Sequence, residues 1–580
     1  MTGKDMLKRR IDAAAGRVKA DLVIRNCRIV DVFSGEILPG DIAVADGVIV
    51  GIGADGYDGE TVIDAGGRFA APGFIDAHIH IESTFVSPEQ LGRMLVPHGS
   101  ATIIADPHEI ANVFGLDGIR YMLEAAKRTK LNIVYTMPSC VPATPFEDAG
   151  ARLEAADMRE LFADERIIGL GEFMNVQGVV HAKDAVLDKL LLARRLGKLV
   201  DGHSPTVTGK WLNAYTCVGV VGDHECTTVG EVQERVSRGM YILLRDGSAC
   251  HNLRPLLATV TEANSRRFLL CSDDRQPRTI LREGHIDNHL RICVEEGLNP
   301  VTAIRMATLN PAEAFHLFDR GAIAPGRRAD IVLLDDLKGF HVFRMFIGGE
   351  LVAEEGRYLP EITPVDASAM HGSVNVKDFS AERLKVRLAS GRAHVIGMQN
   401  GSLLTDKLVV AVKTDAENDF VFDPAQDICK LAVVERHHGT GRIGVGLLGG
   451  YGIKRGAIAI SVAHDSHNII AAGVSNEEIA FAVEALIAME GGMVVVRSGE
   501  VLASMPLPIA GLMTGESGEW VEERLAVLHE KARKELGVSE GVEPVMALTF
   551  MALPVIPALK LTDQGLFDCE TYDFLPLEAP

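Results

Sequence analysis

The sequence predicts an α/β protein built around a (β/α)₈ TIM barrel that carries two further structural units. Three observations lead to this prediction. Short apolar runs alternate with helical patterns over residues 69–320, which is typical of repeated βα units. There are eight such runs, and eight βα units over about 250 residues are the usual size of a closed barrel. Short β-branched runs flank this region on both sides, and a longer segment with a different pattern follows.

The barrel strands are predicted where the apolar runs are continuous. A strand that is buried on both faces of a parallel sheet lacks the alternation of a half-buried strand, so it is apolar throughout. The eight predicted strands are Gly73–Ala77, Ala101–Ala105, Asn132–Thr136, Ile167–Gly171, Leu199–Asp201, Val220–Gly222, Tyr241–Leu244 and Phe268–Cys271.

The regions outside the barrel are expected to form two more domains and a short helix. Residues 18–68 and 321–365 both contain β-branched runs separated by Gly and Asp turns, which favours one split β-sandwich beside the barrel. Residues 1–17 have the spacing of an amphipathic helix. Residues 366–580 have several strand-like runs, so a separate C-terminal domain of α/β or α+β type is expected.

Composition argues against several classes of function. The formal net charge is −21, and nucleic-acid phosphates need a basic surface, so no nucleic-acid partner is expected. No apolar run approaches the ~18 residues that cross a bilayer, and the first twenty or so residues lack the apolar core of a signal peptide. The nine cysteines are irregularly spaced and include no CxxC pair, which indicates reduced thiols. A cytoplasmic protein without a membrane partner is therefore expected.

Polar residues cluster just past the carboxyl ends of the predicted barrel strands. In a closed barrel these ends meet at one mouth, where barrel active sites form. Four imidazoles and two carboxylates that converge there predict a metal site. The clustered residues are His78 and His80 after the first strand, Asp106, His108 and Glu109 after the second, Glu172 after the fourth, His203 after the fifth, His224 and Glu225 after the sixth, and Asp273 and Asp274 after the eighth.

The number of ligands predicts two metal ions. One catalytic zinc takes three protein ligands, and twice that number is present here. Residues i and i+2 of an extended segment point the same way, so His78 and His80 can chelate one ion together with Asp273. A pair of ions would hold a hydroxide that is ready at neutral pH, because metal lowers the pKa of bound water towards ~7. The ligands expected for the second ion are Glu172 as a bridge, His203 and His224.

Further residues at the mouth are candidates for catalysis or substrate binding. Asp273 can accept the proton of the hydroxide, since a carboxylate at the metal lies within reach of that water. Asp106, His108 and Glu109 are candidates for contacting the substrate or shuttling protons, the alternative being support of the ligands. The substrate-binding candidates follow the seventh strand and are Arg245, Asp246 and Ser248.

Four C-terminal histidines have no assigned place in this scheme. They are candidates for an extra metal site or for a lid over the barrel mouth, and the alternative is that they are idle in solvent-exposed turns. They are His437, His438, His464 and His467.

The ligand pattern resembles the amidohydrolase superfamily. The resemblance rests on His78-Ile79-His80, on His203 and His224, on Asp273, and on the split sandwich around the barrel. Many members carry a bridging carboxylated lysine after the fourth strand, where this sequence has Glu172. This departure argues against hydantoinase-like and urease-like functions.

Glu172 and its neighbours instead resemble the bacterial adenine deaminases, over nearly the whole chain. The resemblance implies hydrolysis of adenine to hypoxanthine and ammonia in purine salvage. It also implies two divalent ions, with Mn or Fe(II) favoured and Zn possible on ligand chemistry. The similar motifs are Ala105-Asp106-Pro107-His108-Glu109-Ile110, Gly171-Glu172-Phe173-Met174-Asn175, Asp201-Gly202-His203-Ser204-Pro205, Asp223-His224-Glu225 and Ser461-Val462-Ala463-His464-Asp465-Ser466-His467-Asn468.

Two other functions remain open at this point. The first is a hydrolase of the same barrel type that acts on a different cyclic amidine or amide. The second is a non-catalytic scaffold, which would be expected to have lost ligands, whereas all six proposed ligands are present. An exposed sandwich and an appended domain favour self-association, and a homodimer is expected.

Overall fold

Eight parallel strands follow one another along the chain at the centre of the protein. The computed structural model describes residues 3–54, 56–248, 250–399 and 402–580. The first five strands pair in chain order, and the last three form a second sheet. The strands are Phe74–Ile79, Ser100–Ala105, Asn132–Met137, Ile167–Phe173, Leu199–Gly202, Gly222–Asp223, Tyr241–Arg245 and Phe268–Cys271.

Two short contacts close these strands into a barrel. Ile79 at the end of the first strand pairs with Asp273 beyond the eighth, and Val200 in the fifth pairs with Val220 just before the sixth. The Asp273 amide donates to the His78 carbonyl at 2.9 Å, so the closing contact lies at the carboxyl ends of the strands. The predicted (β/α)₈ barrel is confirmed.

Helices surround the barrel and turn their apolar stripes towards it. In the helix Ile286–Glu295, the buried residues Ile286, Leu290 and Cys293 recur at i, i+4 and i+7, which is the spacing of one helix face. The α-helices of this region are Pro88–Leu95, His108–Ala125, Ala155–Leu161, Val176–Val180, Asp184–Arg195, Gly209–Cys217, Val229–Val236, Leu253–Leu256, Pro277–Glu283, Ile286–Glu295, Pro300–Met306 and Leu309–Ala314.

One nine-stranded sheet joins the two segments that flank the barrel, for which the sequence predicted one split β-sandwich. The strand Phe69–Pro72 connects its halves, because it pairs with Ala20–Asp31 on one side and with Ile331–Leu334 on the other. Ile24 and Leu333, from the two segments, lie in one apolar core. The strands are Ala20–Asp31, Glu36–Ala45, Val48–Gly53, Gly59–Asp64, Phe69–Pro72, Ile331–Leu334, Val342–Ile347, Glu350–Glu354 and Arg357–Tyr358.

The N-terminal helix Gly3–Ala14 is attached to this sheet by charge. The Arg9 guanidinium donates to the carboxylates of Asp21 and Asp46. The apolar residue Ala13 is buried, whereas Leu7 and Ile11 are exposed. No helix in the described ranges is both long and apolar enough to cross a lipid bilayer.

The C-terminal domain is of the α+β type, which decides between the two alternatives that the sequence left open. Its eight-stranded sheet is antiparallel except for one parallel pair, and the helix Asn476–Ala488 packs on it. The strands are Arg392–Met398, Thr405–Ala411, Ile428–Val434, Ile443–Gly449, Ala457–Ile460, Ile469–Gly473, Gly492–Arg497 and Glu500–Pro506. Two further helices, Gly518–Lys531 and Met546–Thr549, and a small sheet of Leu559–Thr562, Gly565–Asp568 and Asp573–Phe574 complete it.

The C-terminal domain packs directly on the loop that follows the third barrel strand. His438 Nε2 lies 2.8 Å from the Ala149 carbonyl oxygen, and the Asn468 side chain donates to the Asp148 carbonyl at 2.8 Å. The ring of Phe146 contacts that of Phe567 at 4.8 Å between centroids. These contacts hold the C-terminal loop 461–468 above the mouth of the barrel.

A buried arginine holds that loop from the other side. The Arg436 guanidinium donates to the carbonyls of Ser373 and Ala510, each at 3.0 Å, and to the His467 carbonyl. Burial lowers the pKa of Arg436 to about 9. The guanidinium therefore acts as a hub for main-chain carbonyls that would otherwise be buried without a donor.

Replacing this hub is expected to destabilise the C-terminal domain. The Arg436→Met variant leaves several buried carbonyls unpaired, at about 1–3 kcal/mol for each. The free energy of unfolding should therefore fall by roughly 3 kcal/mol, measured by urea denaturation. Arg442→Met is the control, because Arg442 forms a half-exposed ion pair with Asp148, and such pairs contribute about 0–1 kcal/mol. Equal losses in the two variants would contradict the hub.

Candidate metal centre

The six predicted ligands meet at the mouth of the barrel. His78 and Glu172 are the penultimate residues of the first and fourth strands. The other four ligands follow their strands within two residues. None of the six is more than 7% exposed. The closure of the barrel brings them together, because neighbouring parallel strands end at the same level.

The first group of ligand atoms belongs to the pair from the first strand. His78 Nε2 lies 3.1 Å from His80 Nε2. Asp273 Oδ1 lies 3.5 Å from the first of these nitrogens and 3.2 Å from the second. Two imidazole nitrogens therefore face the same carboxylate oxygen at nearly equal distances.

The second group gathers around Glu172. Its Oε2 atom lies 2.9 Å from His203 Nδ1 and 3.3 Å from His224 Nε2. These two nitrogens are 3.4 Å apart. The other oxygen of the same carboxylate, Oε1, lies 3.5 Å from His80 Nε2. Glu172 thus presents one oxygen to each group.

These spacings fit a pair of divalent ions. Ligand atoms at ~2.1 Å from an ion in a tetrahedral arrangement lie ~3.4 Å apart. The donor–donor distances above, 2.9 to 3.5 Å, have this value to within about half an ångström. Mixed imidazole and carboxylate donors suit Zn, Mn and Fe(II) equally well. The residues present therefore fit the divalent metal ions that the resemblance implies.

Neighbouring groups fix the orientation of the imidazoles. His78 Nδ1 lies 3.3 Å from Asp201 Oδ2, and His80 Nδ1 lies 3.1 Å from the Asp106 carbonyl oxygen. A ligating histidine typically donates its other ring N–H in this way, which sets its tautomer and its orientation. Asp201 thus orients His78.

The two carboxylates of the centre are held in their ionised form. Burial would raise the pKa of Glu172, but the imidazole of His203 and hydrogen bonds from surrounding histidines hold it well below its usual range. Burial likewise opposes ionisation of Asp273, whose pKa is held well below normal by Arg245 first and then by His78 and His80. Both groups are therefore available as anionic oxygen donors.

Arg245 is engaged with two carboxylates rather than free in the mouth. Its Nη1 atom lies 2.8 Å from Asp273 Oδ2 and 2.5 Å from Glu225 Oε1, and its Nη2 lies 3.1 Å from Glu225 Oε2. Glu225 Oε1 in turn lies 3.3 Å from His224 Nε2. The guanidinium thus holds the carboxylate of Asp273 so that Oδ1 faces the histidine pair.

The three candidates after the second strand also reach the centre. His108 Nδ1 lies 3.2 Å from Glu172 Oε1, and Asp106 Oδ2 accepts from the Glu172 amide at 2.8 Å. Burial raises the pKa of Glu109 well above its usual range. Within the described part of the chain, neither carboxylate oxygen of Glu109 has a hydrogen-bond partner. The Oε1 atom lies 3.5 Å from His80 Nδ1 and 4.0 Å from His108 Nε2, so Glu109 faces two imidazoles of the mouth.

The other two candidates after the seventh strand lie further from the ligands. The Ser248 hydroxyl contacts Thr279 Oγ1 at 2.7 Å and lines a cavity at the mouth. The Asp246 carboxylate lies 3.0 Å from His251 Nδ1 and lines a separate cavity of about 620 Å³. The structure thus brings Arg245 and Ser248 to one cavity and Asp246 to another.

The four C-terminal histidines differ in their surroundings. His464 is buried above the mouth, and its ring nitrogen lies close to donor atoms of His108 and of its neighbour Asp465. His437 Nε2 contacts the Ser466 carbonyl at 2.7 Å, and His467 Nδ1 accepts from the Ala463 amide. Only His464 faces the barrel centre. His437 and His467 hydrogen-bond within the C-terminal loop 461–468 and stabilise its shape. His438 contacts the barrel loop at Ala149.

Two participants were not singled out from the sequence. Asp465 Oδ1 lies 3.5 Å from His108 Nε2, although the two residues belong to different domains. Asp201 supports His78 from the opposite side of the barrel mouth. Asp201 was within reach of sequence reasoning, because it directly precedes the Gly202-His203 motif at a strand end. The contact of Asp465 depends on domain packing, which no local pattern encodes.

Comparison with known proteins agrees with this geometry. Residues 69–352 match the model of the amidohydrolase family, and residues 402–573 match the model of the adenine deaminase C-terminal domain. The barrel, the ligand set and the first of these matches define a member of the amidohydrolase class.

Curated relatives that align over nearly the whole chain identify the family within this class. An adenine deaminase 2 of Desulfotalea psychrophila is 58% identical over 99% of this chain and 100% of its own length. Adenine deaminases of Ligilactobacillus salivarius and Nitratidesulfovibrio vulgaris are 51% and 49% identical, each over 99% of both chains. The chain belongs to the adenine deaminase family.

Divalent metal is expected to stabilise the folded protein. An ion that binds only the native state adds about 2.7 kcal/mol at a hundredfold excess over its Kd. The thermal midpoint of chelator-stripped protein should therefore rise when Mn²⁺ is added, measured by scanning calorimetry. Glu172→Gln should reduce this rise. Glu89→Gln, which changes a buried carboxylate outside the centre, should retain it. An unchanged midpoint in the wild type would argue against a metal site here.

Proposed function

We propose that this chain hydrolyses adenine to hypoxanthine and ammonia at a centre of two divalent ions. The observation that carries the proposal is the Glu172 carboxylate, which faces His80 with one oxygen and His203 and His224 with the other. The relatives named adenine deaminase, at 49–58% identity over nearly the whole chain, support adenine as the substrate.

The proposed ligands fall into two sets that share one bridge. His78, His80 and Asp273 would hold one ion, and His203 and His224 would hold the other, with Glu172 between them. When bound, the ions would supply an activated hydroxide and stabilise negative charge on oxygen. Mn or Fe(II) is favoured by the family resemblance, and Zn is compatible with the same donors.

Asp273 is proposed as the group that moves the proton of the nucleophile. The oxygen of water adds to C6 of adenine, and the C6–N6 bond then breaks, so that N6 leaves as ammonia. One proton of the water ends on a ring nitrogen and one on the leaving amine. Asp273 Oδ1 faces the histidine pair while Arg245 holds Oδ2, so Oδ1 is the oxygen that would accept the proton.

The residues after the second and seventh strands are proposed to act on the substrate. His108 lies beside Glu172 and also faces Asp465 of the C-terminal domain, and Asp106 accepts from the Glu172 amide. Together with Glu109 they would contact the ring edge or pass protons. The proposed substrate-binding residues are Arg245, Asp246 and Ser248. Arg245 would act mainly by orienting Asp273, and Asp246 by supporting the loop through its contacts with His251 and Arg275.

The proposal also covers the cellular compartment, the oligomeric state and the domain boundaries. The nine free cysteines support a reducing compartment, so we place the enzyme in the cytoplasm. Its resemblance to adenine deaminases supports a role in purine salvage. A homodimer remains our expectation. The proposed domains are residues 18–68 with 321–365, residues 69–320 and residues 366–580, preceded by a helix within residues 1–17.

Loss of the Asp273 carboxylate is expected to abolish most of the turnover. Asp273→Asn removes the proton acceptor, and such groups contribute about 10²- to 10⁴-fold. The value of kcat for adenine should fall by that factor at equal metal content, measured as ammonia release. Asp287→Asn is the control, because Asp287 is a buried carboxylate paired with Arg291 outside the centre. A normal kcat for Asp273→Asn would refute its role.

A further inference from the structure

Two cavities flank the metal centre at the mouth of the barrel. We name them by one lining residue each: the Arg245 cavity, of about 520 Å³, and the Trp211 cavity, of about 470 Å³. Pro205 and Thr206 line both, so the loop after the fifth strand separates them. Each lies in the size range of small-molecule sites. The chemistry of their walls distinguishes them.

The barrel side of the Arg245 cavity is polar, and two of its lining residues contact proposed ligands of the centre. Glu225 and Arg245 line it together with Ser248. Through Arg245 the cavity is one contact away from Asp273, at 2.8 Å. Through Glu225 it is one contact away from His224, at 3.3 Å. The Trp211 cavity meets the centre at a single ligand, His203.

The opposite side of the Arg245 cavity is apolar and belongs to the C-terminal domain. Met546, Phe550 and Ile556 line it. The Phe550 ring stacks on the ring of His464 at 4.7 Å between centroids and 9° between planes. The His464 amide donates to the Thr549 carbonyl at 3.1 Å, which fixes the two rings relative to each other. Phe550 is thus a rigid aromatic wall.

The same stack connects the cavity to the roof of the metal centre. The ring nitrogen of His464 lies close to the donor atoms of His108 and Asp465. His108 Nδ1 in turn lies 3.2 Å from Glu172 Oε1. The wall that carries Phe550 is therefore linked to Glu172 through His464 and His108.

We infer that the Arg245 cavity holds the purine base and that Phe550, backed by His464, is a specificity-determining residue of the C-terminal domain. This inference rests on the proposed deamination of adenine. A purine has apolar faces and polar edges, and this cavity offers an aromatic wall opposite polar side chains. The C-terminal domain thereby acquires a role in substrate recognition that the barrel alone does not supply.

The test compares KM and kcat for adenine in variants of the two cavities, at equal metal content. Stacking of a base on an aromatic side chain is worth about 1–3 kcal/mol, which corresponds to a roughly 5- to 150-fold change in binding. Phe550→Ala should raise KM by such a factor and change kcat less. Phe550→Tyr should keep KM within about twofold of the wild type. Trp211→Ala, the matched control in the other cavity, should also leave KM near the wild-type value.

Further measurements keep the test decisive. If Phe550→Ala does not fold, Phe550→Leu retains much of the volume but loses the flat ring, and it should still raise KM for adenine and Ki for hypoxanthine. A normal KM in the Phe550 variants together with a raised KM in Trp211→Ala would overturn the inference. Loss of a bound ion in Phe550→Ala would also overturn it, since His464 would then serve the metal. A wild type that releases no ammonia from adenine would instead refute the proposed function itself.

Discussion

The rest of the site depends on the contacts of the Glu172 carboxylate with three histidines. Four imidazoles and two carboxylates lie buried in one place, and such a cluster is costly unless opposite charges or metal ions compensate for the lost solvent. Glu172 meets this demand by placing one oxygen against His80 and the other against His203 and His224. Glu172 lies at the end of the fourth strand, and the other ligands lie at the ends of the first, fifth, sixth and eighth strands. Its two oxygens connect the ligands of the first strand with those of the fifth and sixth.

The surrounding layers serve to hold these atoms in place. Asp201 and Arg245 orient His78 and Asp273 from the barrel side. The C-terminal domain closes the mouth with the loop 461–468, which Arg436 fixes through main-chain carbonyls. Burial strengthens the electrostatic contacts of these side chains, because less water screens the charges. The appended domain thereby reaches His108 of the barrel mouth through Asp465.

Much of this arrangement could be predicted from the sequence, for physical reasons. Continuous apolar runs predicted the barrel strands, and parallel strands bring their ends to one level, so six dispersed residues could be assigned to one centre. The spacing of His78 and His80 is readable because alternate residues of a strand share a face. Contacts between domains could not be predicted. Asp465 meets His108, and Phe550 lines the mouth, only because a distant domain packs there. Arg245 was expected to face the substrate, and its engagement by Glu225 depends on the distance between neighbouring strands.

The central claim is that two ions share the Glu172 bridge and that both are needed for hydrolysis. Titrating chelator-stripped protein with Mn²⁺, while following ammonia release from adenine, tests it directly. The account predicts that activity rises until about two ions are bound per chain and then becomes constant. Full activity at one bound ion, or in protein free of metal, would contradict it.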